Sequence, residues 1–376
     1  MYTKPGWNHG NLKWLEANTL FLTRHGSHAY GTSTPESDLD IRGIFVAPKE
    51  YYLGYGKHIE QYEQKSPDDV VIFEIRKFFK LAADANPNAL EILFTDPSDH
   101  LFISPIGQKL LDNKEMFLSR KIKYTMAGYA HSQLARLSLH RRFVMNPILK
   151  EPTREEFGLP DKTKIPRDQL EAVFAMVKKR VDEWNFHNFE HVDPATREFV
   201  MKEFERILLE VMQWSYQDKN KKIEDAAIAS FGFDTNFLHY LDQERRYHAK
   251  RKEWQSYNDW KKNRNPKRAA IEEKFGIDLK HAAHLYRLLT SCKEVLTEGV
   301  LRVRRPDAAD ILAIRNGKWS YEELLDFATR MEVELSELVK TSCLPHSVDQ
   351  SKISQFCTNL IEEFSSGNGT SARTQL

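Results

Sequence analysis

The sequence predicts an α+β protein in which a small sheet unit precedes a mainly helical region. Two observations carry that reading. Short apolar, strand-like runs cluster at the front: Thr19–Thr23, the run opened by Asp38 and Asp40, and Val70–Phe73. From about Phe117 onward, apolar residues instead recur at helical spacing over long stretches, with few strand signals. A chain of 376 residues is long enough for two domains of ordinary size. The expected organisation is a sheet-bearing domain over residues 1–116, a helical domain over 117–362 and a disordered tail over 363–376.

Composition narrows the class further. Hydrophobic residues make up 41% and charged residues 29%, which suits a soluble globular protein. No segment approaches the roughly 18 consecutive apolar residues of a membrane helix. The first ten residues lack the apolar core of a secretory signal. Cys292, Cys343 and Cys357 lie far apart, an odd and sparse set that fits a reducing cytoplasm. The formal net charge is only +1, so any affinity for nucleic acid must come from a local patch.

Taken in order, Leu12, Trp14 and Leu15 suggest a short lead-in helix. The strand at Thr19–Thr23 runs into Gly26–Ser27, and a second apolar run follows from Asp38 and stops before Pro48. Tyr51 to Gly56 is aromatic and Gly-rich, which reads as a packed surface loop, with a wall for a base as the alternative. Val70–Phe73 is a continuous β-branched and aromatic run, hence a buried strand. Ile75, Phe78, Phe79 and Ala82 then fall at helical spacing until Asn86–Pro87 ends the helix. Later helices are expected at Leu118–Met145, Arg167–Trp184, Pro194–Gln217 and Phe237–Lys261, with polar, Pro-rich Asn146–Pro166 as a loop or lid. Asp278 can cap a helix beginning at Leu279, on which Lys280, His284 and Arg287 share a face with His281 beside them. Two histidines so spaced can ligate zinc, but no carboxylate or cysteine joins them in a motif. Zinc is therefore not expected.

The chemistry concentrates in Arg24–Gly43, R-H-G-S-H-A-Y-G-T-S-T-P-E-S-D-L-D-I-R-G. Residues i and i+2 of a strand point to one face, so Asp38 and Asp40 project together, with Arg42 on the same parity. Two carboxylates that close repel unless a cation lies between them, and Mg²⁺ (or Mn²⁺) prefers such hard oxygen ligands. Arg42 offsets that charge, touches a phosphate, or serves a structural ion pair. Gly26 and Ser27 add backbone N–H groups and a hydroxyl with no side chain blocking a phosphate. Neither G-S nor D-x-D is specific alone. A strand, G-S, about ten residues and then S-D-x-D inside another apolar run is far rarer.

A second feature is the basic segment of residues 245–268, in which ten Lys or Arg are interleaved with Tyr247, Trp254, Tyr257 and Trp260. Lys250, Arg251, Lys252 and Arg264 can neutralise phosphates, and Trp254 and Trp260 can stack on unpaired bases. An amphipathic helix with aromatics inward and cations outward explains the pattern equally well. The helix carrying His131, Arg136, His140, Arg141 and Arg142 is also basic; a solvated face is the simpler reading and a phosphate- or RNA-facing stripe the alternative.

The string G-S-x-A-Y-G-T-x-x-x-x-S-D-x-D-x-R-G resembles the polymerase-β-like nucleotidyltransferases, and within them the RNA-repair-associated (RlaP-like) family. N-P-N-A-L-E-I-L-F, W-K-x-N-R-N-P-x-R and the blocks from K-F-G-I-D-L-K to I-R-N-G-K-W are similar to that family too. The resemblance implies a small mixed-sheet palm followed by a helical domain. It implies metal-dependent transfer of an NMP from an NTP to a hydroxyl acceptor, with pyrophosphate released. An RNA 3′ end is the favoured acceptor; a protein hydroxyl or a small molecule fits the same core. It also implies a third carboxylate on a neighbouring strand. Asp69 and Glu74 are candidates of opposite parity, Asp69 favoured because the family pattern places an acid just ahead of such a run. Lys280 is the expected cation sent from the helical domain to the triphosphate, and Glu91 is expected to be structural. The alternatives are a non-catalytic RNA- or nucleotide-binding module and an antitoxin-like partner of another protein.

Overall fold

The structure, a computed structural model, describes residues 12–35, 37–66, 68–163, 171–172, 175–176, 179, 235–264 and 266–367. The helices expected at Arg167–Trp184 and Pro194–Gln217 fall largely or wholly outside these residues. The chain forms two compact units, Met1–Asn146 with Asn265–Leu376, and Pro147–Arg264.

The first unit is built on a five-stranded mixed sheet of order β3-β4-β2-β1-β5. Its strands are β1 (Thr19–His25), β2 (Asp40–Phe45), β3 (Gln61–Gln64), β4 (Asp69–Glu74) and β5 (His100–Ile103). Only β2 and β4 run parallel. Alternation along the strands splits the core into two layers. Ile41, Phe45, Val70 and Ile72 pack on one face with Leu15 and Leu22. Residues of the opposite parity, Ile44 and Phe73, join the helices in the larger core. Asp40, Arg42 and Asp69 thus share the helical side of the sheet. Residues 13–18 form turns where a lead-in helix was expected, and they still seat Leu15 in the core.

Helices α1 (Gly26–Tyr30), α2 (Glu50–Leu53), α3 (Ile75–Ala83), α4 (Pro87–Leu93), α5 (Pro105–Asp112) and α6 (Ile122–Met145) follow their strands. Glu74 caps α3, accepting from the N–H groups of Arg76 and Lys77, and Asn86 caps α4 with Pro87 in its first turn. The stripe expected in α3 is real: Ile75, Phe78, Phe79 and Ala82 are all buried. Truncating a side chain as enclosed as Phe78 would cost about 3–5 kcal/mol. Tyr52, from the expected aromatic loop, instead lies in α2 and donates its hydroxyl to Glu74 Oε1 at 2.8 Å.

The second unit contains α7 (Thr235–Asn263). Glu244, fully buried on α7, is held by Arg154, Tyr240 and Thr163. Residues 154–163 of the expected loop are thereby fixed to α7. After it the chain returns to the first unit with α8 (Pro266–Phe275), α9 (Leu279–Glu298), α10 (Ala308–Arg315), α11 (Tyr321–Thr341) and α12 (Gln350–Ser365). Asp278 caps α9 as its sequence position suggests, accepting from the N–H groups of Lys280 and His281. Helix α9 packs along α6, α10 and α11, and α12 packs on α3. No described helix is long and apolar enough to cross a membrane.

Candidate active site

The sheet register does what the sequence spacing cannot: it sets Asp40 of β2 directly opposite Asp69 of β4. Asp38 lies just ahead of β2 and is exposed. Arg42, two residues on, bridges the pair. Its Nη2 donates to Asp40 Oδ1 at 3.3 Å and its Nη1 to Asp69 Oδ1 at 3.2 Å. Nη1 also donates to the backbone carbonyls of Asp69 and Ile41. The two carboxylates therefore already share one cation.

Gly26 explains why a glycine stands beside them. It has φ +61°, and a Cβ there would lie 2.1 Å from Asp40 Oδ2. No side chain fits between the turn and the carboxylate, so the Gly26–Ser27 backbone and Asp40 approach closely. Burial pushes the Asp40 pKa up, and Asp69 and Asp38 add to that push; Arg42 and Lys280 oppose it without cancelling it. Lys280, exposed in the first turn of α9, is thus near enough to act on Asp40. Gly26, Ser27, Asp38, Asp40, Arg42, Asp69 and Lys280 all belong to this one neighbourhood.

Glu74 does not. It ends β4 five residues beyond Asp69, about 17 Å along a strand. There it is buried, capping α3 and accepting from Tyr52. Glu91 is buried as well, and its role is structural in a specific way. Arg287 of α9 forms an ion pair with it, and Tyr30 of α1 donates to its Oε2 at 2.7 Å. The Arg287 guanidinium lies 3.8 Å from the Tyr30 ring centroid. Burial by itself would raise the Glu91 pKa, but Arg287, His25 and the hydrogen bond from Tyr30 hold it below the usual carboxylate range. Burial drives His25 down to about 4. The glycine turn, α4 and α9 are thereby tied into one block.

Two cations at the far end of α1, beside Gly31 and Thr32, had no assigned role in the sequence. Arg315 Nη1 donates to the Thr32 carbonyl at 3.3 Å, and the Arg304 side chain lies beside Gly31 while pairing with Asp99 at 2.7 Å. Their signal was the cation-rich strings R-V-R-R-P-D and I-R-N-G-K-W.

In the second unit, Lys250, Arg251 and Lys252 point outward from α7, whereas Tyr247 and Tyr257 are buried. Trp254 and Trp260 are half-buried, and the Arg264 guanidinium covers the Trp260 ring at 4.3 Å. Lys250 pairs with Glu253 at 3.0 Å and Arg251 with Glu151 at 3.5 Å.

Comparison with known proteins agrees with the front of the chain. Residues 10–148 match the RlaP family, described as an RNA repair pathway DNA polymerase beta family. The match bears out the resemblance read from the G-S and D-x-D strings and identifies this stretch, at a coarse level, as of nucleotidyltransferase type. The chain is 25% identical over 366 residues to an uncharacterized 38.9 kDa protein from the nrdC-mobD intergenic region of Enterobacteria phage T4, covering 92% of this chain and 96% of the phage protein. It is 33% identical over 79 residues to the uncharacterized protein YcgL of Bacillus subtilis (strain 168), covering 20% of this chain and 30% of YcgL. No solved structure matches.

Proposed function

We propose, from the polymerase-β-type match over residues 10–148 and the carboxylate geometry within it, that this protein transfers an NMP from an NTP to a hydroxyl acceptor and releases pyrophosphate. The observation that carries the proposal is the in-register Asp40–Asp69 pair, pressed against Gly26 and bridged by Arg42. Residues 1–116 hold the catalytic carboxylates, and the helical residues beyond them contribute Lys280.

The donor set fits a hard divalent cation. Asp38, Asp40 and Asp69 offer only oxygen ligands, and the raised pKa of Asp40 marks a carboxylate that gains from added positive charge. These three residues would hold Mg²⁺ or Mn²⁺, which when bound supplies charge at the triphosphate and lowers the pKa of the attacking hydroxyl. The chain's own groups do the rest. Gly26 leaves backbone N–H groups open to a phosphate, and Ser27 adds a hydroxyl donor. Lys280 brings positive charge from α9, and Arg315 adds more at the far end of α1, where Arg304 is paired with Asp99. Arg42 keeps Asp40 and Asp69 together in the resting protein.

An RNA 3′ end is the acceptor we favour, because the family description names RNA repair and α7 presents Lys250, Arg251 and Lys252 to solvent. The test is incubation with each of four α-labelled NTPs, Mg²⁺, and RNA, protein and small-molecule acceptors, followed by nuclease or protease digestion of the product. Label that enters RNA and vanishes in the Asp40→Asn variant supports the reading. Tight NTP binding with no pyrophosphate release would favour a non-catalytic binding module.

A further inference from the structure

Between Asp40 and Asp69 the protein places a cation of its own. Asp40 Oδ2 is turned to Gly26, since a Cβ on that glycine would lie 2.1 Å from it. The Asp40 oxygen on the side of Asp69 is Oδ1. The guanidinium that reaches it at 3.3 Å through Nη2 also reaches Asp69 Oδ1 at 3.2 Å through Nη1. Mg²⁺ binds carboxylate oxygens at about 2.1 Å. An ion shared by these two oxygens and the Arg42 guanidinium therefore exclude each other. Among the described residues, Arg42 is the only cation ion-paired with either carboxylate.

The contacts of Arg42 divide into two kinds. Nη1 donates to the Asp69 carbonyl at 2.8 Å and to the Ile41 carbonyl at 2.9 Å, ordinary hydrogen-bond lengths. The contacts to the carboxylates, at 3.2 Å and 3.3 Å, exceed the roughly 2.7–2.9 Å of a strong charge-assisted bond. The Asp40 and Asp69 side chains are also 30% and 49% exposed, so water screens both pairs. The backbone thus anchors this arginine, while the carboxylates are held loosely. It can release them without leaving its place.

We propose that Arg42 is a built-in counter-cation that competes with the divalent metal for Asp40 and Asp69, so that metal binds only as the guanidinium lets go of both carboxylates. This regulation of the candidate active site rests on the proposed transferase reading, in which Asp40 and Asp69 are metal ligands.

Two consequences follow from the exchange. In the resting protein Arg42 offsets two carboxylates that would otherwise repel, and it thereby lowers their affinity for metal. After the exchange the guanidinium stays tethered to the Asp69 and Ile41 carbonyls, and its planar fork suits a phosphate. The step that admits the metal thus frees a donor for the triphosphate. The sign of the effect separates this role from a merely structural one. A structural Arg42 orders the ligands, so its loss would weaken metal binding. A competing Arg42 blocks them, so its loss strengthens it.

The test is Mn²⁺ binding to the full-length protein without nucleotide, read from the paramagnetic resonance signal of free Mn²⁺, with thermal melting in parallel. Arg42→Gln should bind Mn²⁺ at least ~10-fold more tightly than wild type. Arg42→Lys, whose single ammonium cannot fork across two carboxylates, should fall between them. Without metal, Arg42→Gln should melt a few degrees below wild type. The same Mn²⁺ concentration should then raise its Tm by more than it raises that of wild type. Adding Asp40→Asn to Arg42→Gln should abolish the gain in affinity, which ties the gain to this carboxylate pair. Equal or weaker Mn²⁺ binding by Arg42→Gln overturns the proposal and leaves the transferase reading standing. Should that variant fail to fold, Arg42→Lys decides in the same way. Mn²⁺ affinity that Asp40→Asn alone leaves unchanged would remove the metal-ligand reading itself, and the proposal with it.

Discussion

The Asp40 carboxylate lies against Gly26, and burial, with Asp69 and Asp38 nearby, raises its pKa in spite of Arg42 and Lys280. An acid whose folded pKa is raised is held less comfortably as an anion in the folded protein than in the unfolded chain. Asp40→Asn should therefore leave the metal-free Tm unchanged or a few degrees higher while transfer falls to background. Parallel melting and label-transfer assays check this, and near-native transfer would remove the metal-centred reading. Asp69 and Glu74 should separate cleanly. Asp69→Ala should lose transfer with little change in stability, because the side chain is half-exposed and Arg42 keeps its bonds to Asp40 and to the backbone carbonyls of Asp69 and Ile41. Glu74→Ala should cost roughly 1–3 kcal/mol of stability, since two backbone N–H groups and the Tyr52 hydroxyl lose their acceptor. Transfer per folded molecule should persist in that variant. The spacing read Asp38 and Asp40 onto one strand face, but only Asp40 lies in β2 and Asp38 stands just ahead of it. Placing Asp69 beside Asp40 was anticipated only through the family pattern, because spacing alone cannot give the register of two parallel strands joined by a long connection.

Secondary structure was the most legible level, because its signals are local. The stripe of α3, its end ahead of Asn86–Pro87 and the Asp278 cap of α9 each lie within a few consecutive residues, and all are present, whereas the sequence reading did not foresee that Asn86–Pro87 also opens α4. The tie between elements is different. Glu91 and Arg287 stand far apart in the sequence, and each alone looks like an ordinary helix-surface charge, yet both are buried. Removing one partner of such a pair costs about 3–5 kcal/mol, because the other charge stays buried and unpaired. Arg287→Met should destabilise by that amount in denaturant melts, and Glu91→Leu/Arg287→Met should recover most of it. The same block sets a pH dependence. His25 is driven down to about 4 and His284 to about 3, chiefly by burial, with Arg287 adding to the effect. Near pH 6.5 the unfolded chain takes up these protons and the folded protein does not, so stability falls as acidity increases. The loss should begin below about pH 6.5, continue through about pH 4, and reach several kcal/mol. A Tm profile flat between pH 7 and pH 4.5 would contradict it. His25→Phe should flatten that profile in part.

For the molecule as a whole, a net charge of +1 conceals where nucleic acid could bind, and α7 is the place where charge is locally unbalanced. Tyr247 packs on Phe157 of the same unit and Tyr257 is buried, while Lys250, Arg251 and Lys252 remain on the solvent side. Glu253 and Glu151 pair with the first two, but exposed pairs of this kind are worth at most about 1 kcal/mol and yield readily to a phosphate. If α7 tracks an RNA backbone, each lost phosphate contact lowers the log–log salt slope of binding by about one. Replacing Lys250, Arg251 and Lys252 with Ser should weaken RNA binding, flatten that slope by up to about three, and spare transfer to a small hydroxyl acceptor. Trp254 supplies the second half of the test, since it is only half-buried. As a stacking platform, Trp254→Ala should cost about 1–3 kcal/mol of RNA affinity per base. As a packing residue, it should lower the Tm of the whole protein and leave the affinity of the folded fraction unchanged. Melting and RNA titration on the same two variants separate these outcomes. An unchanged salt slope in the triple-Ser protein would send the search for the acceptor to the cations at the far end of α1, Arg304 and Arg315, and away from α7.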